Sequence, residues 1–225
     1  MNISKIISLV LVKLKYIILV ALMVIGISMP HEASAQFNLG KALNSLLGND
    51  DEPSRYETLK TNAPQQKSML GTWYYASAKV EYFGDNVLAD YAIDQLDDVA
   101  QSLLKDYGVD AGYFSLTLNY SGKITGTMGY DSLSGKYTYD KNNASVNLAV
   151  VIEGVDVVCS GYVEQYNNRL KFYLNANDVL KAYEKMGIDY SSYAISLARE
   201  VIGQFDDIYF AVSKHSLDYV RTKWM

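Results

Sequence analysis

Phe114-Ser115-Leu116-Thr117-Leu118-Asn119-Tyr120-Ser121-Gly122-Lys123-Ile124 is the stretch on which the reading of the fold turns. Apolar or aromatic residues alternate with Ser, Thr and Asn from Phe114 to Tyr120. Ser121-Gly122-Lys123 then makes a turn into a second run, Ile124 to Tyr130. A period of two puts one face on a core and the other toward solvent, which is a β-strand pattern, and the tight turn makes the pair antiparallel. The same grammar continues downstream. Asp131-Ser132 leads to a strand from Leu133 to Tyr139, and Asp140-Lys141-Asn142-Asn143 turns the chain into Val146 to Ile152. Gly154 precedes Val155 to Tyr166, and Asn167-Asn168 precedes Leu170 to Leu174.

Upstream, Gly71 to Phe83 is rich in the aromatic and branched residues that favour strands. Trp73 and Tyr75 share one parity, and Val80 and Tyr82 share the other. No straight strand keeps all four on one face, so a bulge is expected near Ala76 to Ala78. Between this strand and the next, Asp85 to Tyr107 carries an apolar helical stripe through Leu88, Ala92, Leu96, Val99 and Leu103, stopped by Gly108. Two further helices, Asp178 to Met186 and Ser192 to Phe205, precede a last strand, Ile208 to His215, with Ile208, Phe210 and Val212 on one face. The expected fold class is α+β, mainly β: an eight-stranded antiparallel barrel with helical insertions after the first strand and before the last strand. Eight strands enclose either one small ligand or a filled core. A β-sandwich stays open as the alternative, because periodicity does not reveal whether the first and last strands pair.

The chain starts with Lys5, Lys13 and Lys15, then an apolar run from Tyr16 to Met29 and the small-x-small site Ala33-Ser34-Ala35. This is the layout of a secretory signal peptide over residues 1–35. As a helix the run would reach about 21 Å, short of a hydrocarbon core of about 30 Å. Gln36 stands where a lipid anchor would need Cys, so no lipid anchor is expected. Residues 36–48 place Leu39, Leu43, Leu46 and Leu47 on one face of a short amphipathic helix. Residues 49–68, with Asp50-Asp51-Glu52, Pro53 and Pro64, read as a linker to a barrel domain over 69–225.

Composition narrows the function. The 225-residue chain is 49% hydrophobic with a formal net charge of −5, and loss of the leader removes three Lys and only Glu32. An acidic surface repels phosphate backbones and anionic head groups, so nucleic acid is not an expected partner. Cys159 is the one cysteine, which rules out an intramolecular disulfide, and its strand-like setting reads as a small buried hydrophobe.

The opening Gly71-Thr72-Trp73 resembles the Gly-x-Trp signature of lipocalins, whose Trp closes the barrel floor. The leader, Gly-Thr-Trp-x-Tyr, Val80-Glu81-Tyr82, the helix in the first connection and Ser134-Gly135-x-Tyr137-x-Tyr139 are together similar to a lipocalin-like (calycin-type) exported domain family of unknown function from Gram-negative gut bacteria. The likeness runs from Leu70 to Val212 and implies a calycin-type barrel, with Gly71 and Trp73 structural. The long helical insertions depart from ordinary lipocalins. Leu217-Asp218-Tyr219 and Arg221 come after the last strand and too closely spaced to stand for the later lipocalin motifs.

Little catalytic material is present. Two His in the whole chain leave His215, beside Ser213 and Ser216, as the sole base of the mature protein, and no Gly-x-Ser-x-Gly elbow accompanies it. One His and one Cys make a zinc site improbable. Asp97-Asp98 and Asp206-Asp207 are adjacent pairs; on a helix neighbours point about 100° apart, so Asp97-Asp98 reads as a solvated face. No cofactor, no metal and no enzyme activity are expected. The first reading is an exported, periplasmic or extracellular, soluble binding protein for a small hydrophobic or amphiphilic ligand. Its lining would be the apolar parity: Val80, Tyr82, Leu116, Leu118, Met128, Tyr137, Val146, Leu148 and Val150. These residues would equally fill a solid core. The alternative is a filled barrel that meets an envelope protein partner.

Overall fold

The computed structural model describes residues 54–106, 109–128, 131–152, 154–185 and 193–216. Two short helices, α1 (Arg55–Thr61) and α2 (Gln66–Met69), precede β1 (Gly71–Tyr82) and the long helix α3 (Val87–Asp106). A meander follows: β2 (Phe114–Leu118), β3 (Lys123–Met128), β4 (Asp131–Asp140), β5 (Ser145–Ile152), β6 (Val155–Tyr166) and β7 (Arg169–Asn175). Helices α4 (Ala176–Lys185) and α5 (Tyr193–Gln204) lead to β8 (Ile208–Ser216).

Each strand pairs antiparallel with the next, and β8 returns to β1, closing the barrel. The sandwich alternative is thereby excluded. The inward row can be followed around the wall through the register: Trp73 faces Leu116, Leu118 faces Ile124, Tyr137 faces Leu148, Val150 faces Val157, Val163 faces Phe172 and Leu174 faces Phe210. The expected bulge is present, as a register shift between Tyr75 and Ser77 opposite β8. It inserts Ala76 and so restores Trp73, Tyr75, Val80 and Tyr82 to one face. At Gly161 the inward wall folds so tightly that a Cβ would lie 1.8 Å from the Tyr173 carbonyl oxygen, so only glycine fits there.

Several boundaries shift. β4 already pairs at Asp131, opposite Met128, so the residues expected to form that turn stand in the ladder. Helix α3 starts at Val87, its first turn closed by the Asp90 amide on the Asn86 carbonyl. Helix α4 starts at Ala176 because Asn175 caps it, accepting from the Asn177 and Asp178 amides at 3.0 and 3.3 Å. Asp178 instead accepts from the Ser160 amide and hydroxyl, tying α4 to β6.

From Ser54 onward the stretch read as a linker is part of the fold. Ser54 caps α1, and Leu59 is fully buried against Ala144, Tyr173, Tyr209 and Ala211 on the outer wall, with Tyr56, Phe83 and Tyr162 packed around them. Arg55 donates to Glu164 and Tyr173 there. Met69 of α2 is fully buried with the barrel interior, and its carbonyl accepts from Trp73 Nε1 at 2.7 Å. Trp73 is buried, 5% exposed. The expected signal peptide, the expected helix of residues 36–48, and the helix end expected at Met186 and Gly187 lie outside the described residues.

The two walls beside β1 are unequal. β8 pairs with it from Trp73 to Tyr82, whereas β2 reaches only Gly71 to Tyr74. Beyond Tyr74, α3 takes over: Asp97 accepts from the Val80 amide and Gln101 donates to the Ala78 carbonyl, both at 2.8 Å. Asp97 is therefore no part of a solvated face, as the sequence suggested, but a substitute for strand pairing, while Asp98 is exposed.

Candidate functional site

The strand alternation carries the expected lining inward. Val80, Leu116, Leu118, Tyr137 and Val146 are buried together in one apolar core, and Tyr82, Leu148 and Val150 pack against it half-buried. Met128 stands opposite Phe114 and Asp131 in the ladder, and its side chain is outside the described residues. The same core draws in Phe172 and Leu174 from β7 and Phe210 from β8, together with Ile93 and Leu96 of α3, Val179 of α4 and Val201 of α5. The helices thus contribute apolar surface to the core at the end of the barrel where β1 finishes and β8 begins.

Beside it lies a smaller cluster that the sequence reading passed over. Tyr75, Val212 and Val109 are buried in contact, with Ala78, Tyr113 and Phe114 against them. Tyr75 and Phe114 stack at 4.7 Å between centroids. Burial pushes the Tyr75 phenol up to about 12. The next inward position on β8 after Val212 is Lys214, which lies between Tyr75 of β1 and Leu170 of β7 in register. Its side chain is 4% exposed, and its Nζ has no hydrogen-bond partner. The face of the Phe114 ring lies 4.0 Å from Nζ, a cation–π geometry. Desolvation brings the amine down to about 7. The signal for this residue was in the sequence all along: Ile208, Phe210, Val212 and Lys214 are one parity. A charged residue at a strand end simply reads as surface.

The outer wall carries the paired charges. Arg55 and Glu164 meet at 3.0 Å, and Lys171 and Glu81 at 2.5 Å. Burial raises the Glu164 carboxyl, but the hydrogen bonds from Arg55 and Tyr173 outweigh it and hold the group below its usual value. A polar cleft of about 230 Å³, lined by Ser145, Asn147, Ser160, Tyr162, Asn175 and Tyr209, opens on the outer wall as well. Cys159 is 2% exposed in the core, and burial followed by the nearby Asp178 pushes its thiol up to about 12. Asp207 closes the gap before β8, accepting from Tyr56 at 2.5 Å. His215 pairs with Tyr74 and Arg169 in the ladder, and its side chain is outside the described residues. Among the described residues no three His, Cys, Asp or Glu are grouped to hold a metal ion, and no helix is long and apolar enough to cross a membrane.

A family model described as a lipocalin-like domain (DUF4923) matches residues 43–213. Among solved structures, a DUF4847 family protein from Bacteroides vulgatus aligns over 63% of this chain and 90% of its own, with 12% identity and a TM-score of 0.34. No curated protein matches the chain.

Proposed function

Since the chain belongs to the lipocalin-like domain family DUF4923, we propose that it is an exported binding protein whose barrel takes up a small hydrophobic or amphiphilic molecule. One observation carries this reading: a wall closed by eight strands turns an apolar and aromatic face inward from every strand. Small-molecule sites are mostly apolar with a few placed polar groups, and this interior has that make-up. Entry would be by the β1–β2 seam, where side chains of α3 replace a strand and the wall has fewest backbone bonds to break. The leader of residues 1–35 would deliver the protein outside the inner membrane, and the reading includes no catalysis and no cofactor.

Native mass spectrometry of the protein purified from its own envelope tests the proposal, followed by denaturing extraction of what is released. An adduct is expected, lost when Leu118 or Leu148 is enlarged to Trp in a variant that still folds. A bare mass, together with no uptake of an apolar fluorescent probe, would overturn it. That result would leave the second reading of the sequence, a filled barrel that meets an envelope protein through the helix of residues 36–48.

A further inference from the structure

We propose that Lys214 is the polar anchor of the barrel interior and that the molecule it receives is an amphiphile with a single carboxylate, head group on Nζ and alkyl chain along the apolar wall. This rests on the binding reading above and assigns the chemical class that the reading left open.

Lys214 points to the inside of the barrel, since it shares the parity of Phe210 and Val212 and stands in register between Tyr75 and Leu170. Every hydrogen-bond donor of its Nζ is unsatisfied, and the group is shut off from water. Buried ammonium groups are ordinarily paired, because removing the charge from water costs several kcal/mol unless an acceptor replaces the water. Arg55 with Glu164 and Lys171 with Glu81 have their acceptors on the outer wall, and Lys181 and Arg199 have theirs on α4. Inside, no described side chain on the inward face is a carboxylate. The titratable groups clustered against this end are Tyr75 and Tyr113, both phenols. Among the described residues, then, Lys214 lacks an acceptor that a bound anion could supply.

The surroundings select among anions. One cation with apolar neighbours, Leu170, Val212 and the Phe114 face, compensates one negative charge. A phosphate or sulfate would bring more acceptor oxygens than the single amine can satisfy, and the others would be buried unpaired. A carboxylate on an alkyl chain leaves the least unsatisfied, and its chain continues the apolar contacts of the core. The position also suits delivery, because the Tyr75–Phe114 stack that flanks the amine stands where the β1–β2 ladder ends and α3 takes over.

The test compares dodecanoate with dodecanol, below their aggregation limits, on the delipidated full-length protein and on Lys214→Met. Binding is read by calorimetry, and the lysine ε-CH₂ resonances are followed by NMR. The wild type should bind dodecanoate at least about 10-fold more tightly than dodecanol. Lys214→Met should lose that preference while keeping dodecanol and its folded spectrum. If both compounds bind the wild type equally, or dodecanol binds more tightly, the anchor is refuted and the binding reading stands. If neither binds, both fall. Should Lys214→Met fail to fold, the wild-type spectrum decides: a single shifted ε-CH₂ with dodecanoate and not with dodecanol supports the anchor, and no shift refutes it.

Discussion

The carboxylate of Asp97 on α3 holds the Val80 amide of β1 at 2.8 Å, at a level of the barrel that β2 does not reach. A helix side chain thus does the work of a neighbouring strand, and Gln101 completes the substitution by donating to Ala78. Asp97→Ala should expose that edge, cost about 1–2 kcal/mol as other lost caps do, and speed hydrogen exchange at the Val80 amide. Asp97→Asn keeps an acceptor oxygen and loses a charge that burial already disfavours, so it should stay within about 0.5 kcal/mol of the wild type at neutral pH. Urea unfolding with amide exchange measures both; unchanged Val80 protection in Asp97→Ala would show that α3 does not seal the seam.

Lys214 has a stability signature apart from any ligand. Its amine titrates near 7 when folded and near 10.5 in the unfolded chain, so between those values the unfolded chain holds the extra proton. Wild-type stability should therefore gain from this residue as pH rises from about 7 toward 10. Lys214→Met, which removes the buried amine at similar volume, should be more stable by about 1–4 kcal/mol near pH 6. That gap should narrow at pH 9. Urea midpoints at the two values measure it, and a gap that widens with pH would contradict the burial of a desolvated amine.

Arg55 fastens α1 to β6 through Glu164, and the pair is only partly screened from water. Arg55→Ala should cost about 1–2 kcal/mol at pH 6, less than a fully buried pair because the guanidinium keeps some solvent. Glu164 is held below its usual carboxylate range, so this contribution is complete above that range and is lost as pH falls below it, through the depressed folded-state value. Stability curves of the two proteins should converge in acid. A constant difference across that range would assign the loss to packing on Tyr173 and Phe83, over whose rings the guanidinium lies at 4.9 and 5.3 Å.

Cys159 should be silent in the folded protein. With the side chain buried and the thiol raised to about 12, the thiolate population at pH 8 is negligible. Iodoacetamide should label it at least about 100-fold faster in urea than in buffer. Comparable rates would mean that β6 opens readily around it.

The sequence displayed the barrel because strand periodicity is a local signal: Phe114 to Ile124 and its successors each announce their own inward face. Even the bulge was legible, from the clash of parity between Trp73 and Val80. What the pattern could not display were the contacts made by residues of the wrong type or in too short an element. Helix α1 spans seven residues, too few for a helical stripe, and its anchors Tyr56 and Leu59 dock on an outer face that alternation alone labels as solvent. Asp97 looked solvated because a buried carboxylate is recognised by the amide it serves, which lies on another element. Lys214 was concealed by its own charge. Its parity is plain, but hydropathy assigns a strand-end lysine to the surface.

The closure of β8 onto β1 also has a history in time. As the chain emerges from its N-terminus, β1 is among the first strands available, while the partner for its longer edge, Ile208 to Ser216, arrives after all the others. Until then both β1 and β7 offer free backbone to any passing strand, a state prone to aggregation. A barrel that depends on its two most distant strands folds slowly. Its assembly should therefore be gated by the arrival of one late segment, and chains halted before Ile208 should accumulate as sticky, open sheets.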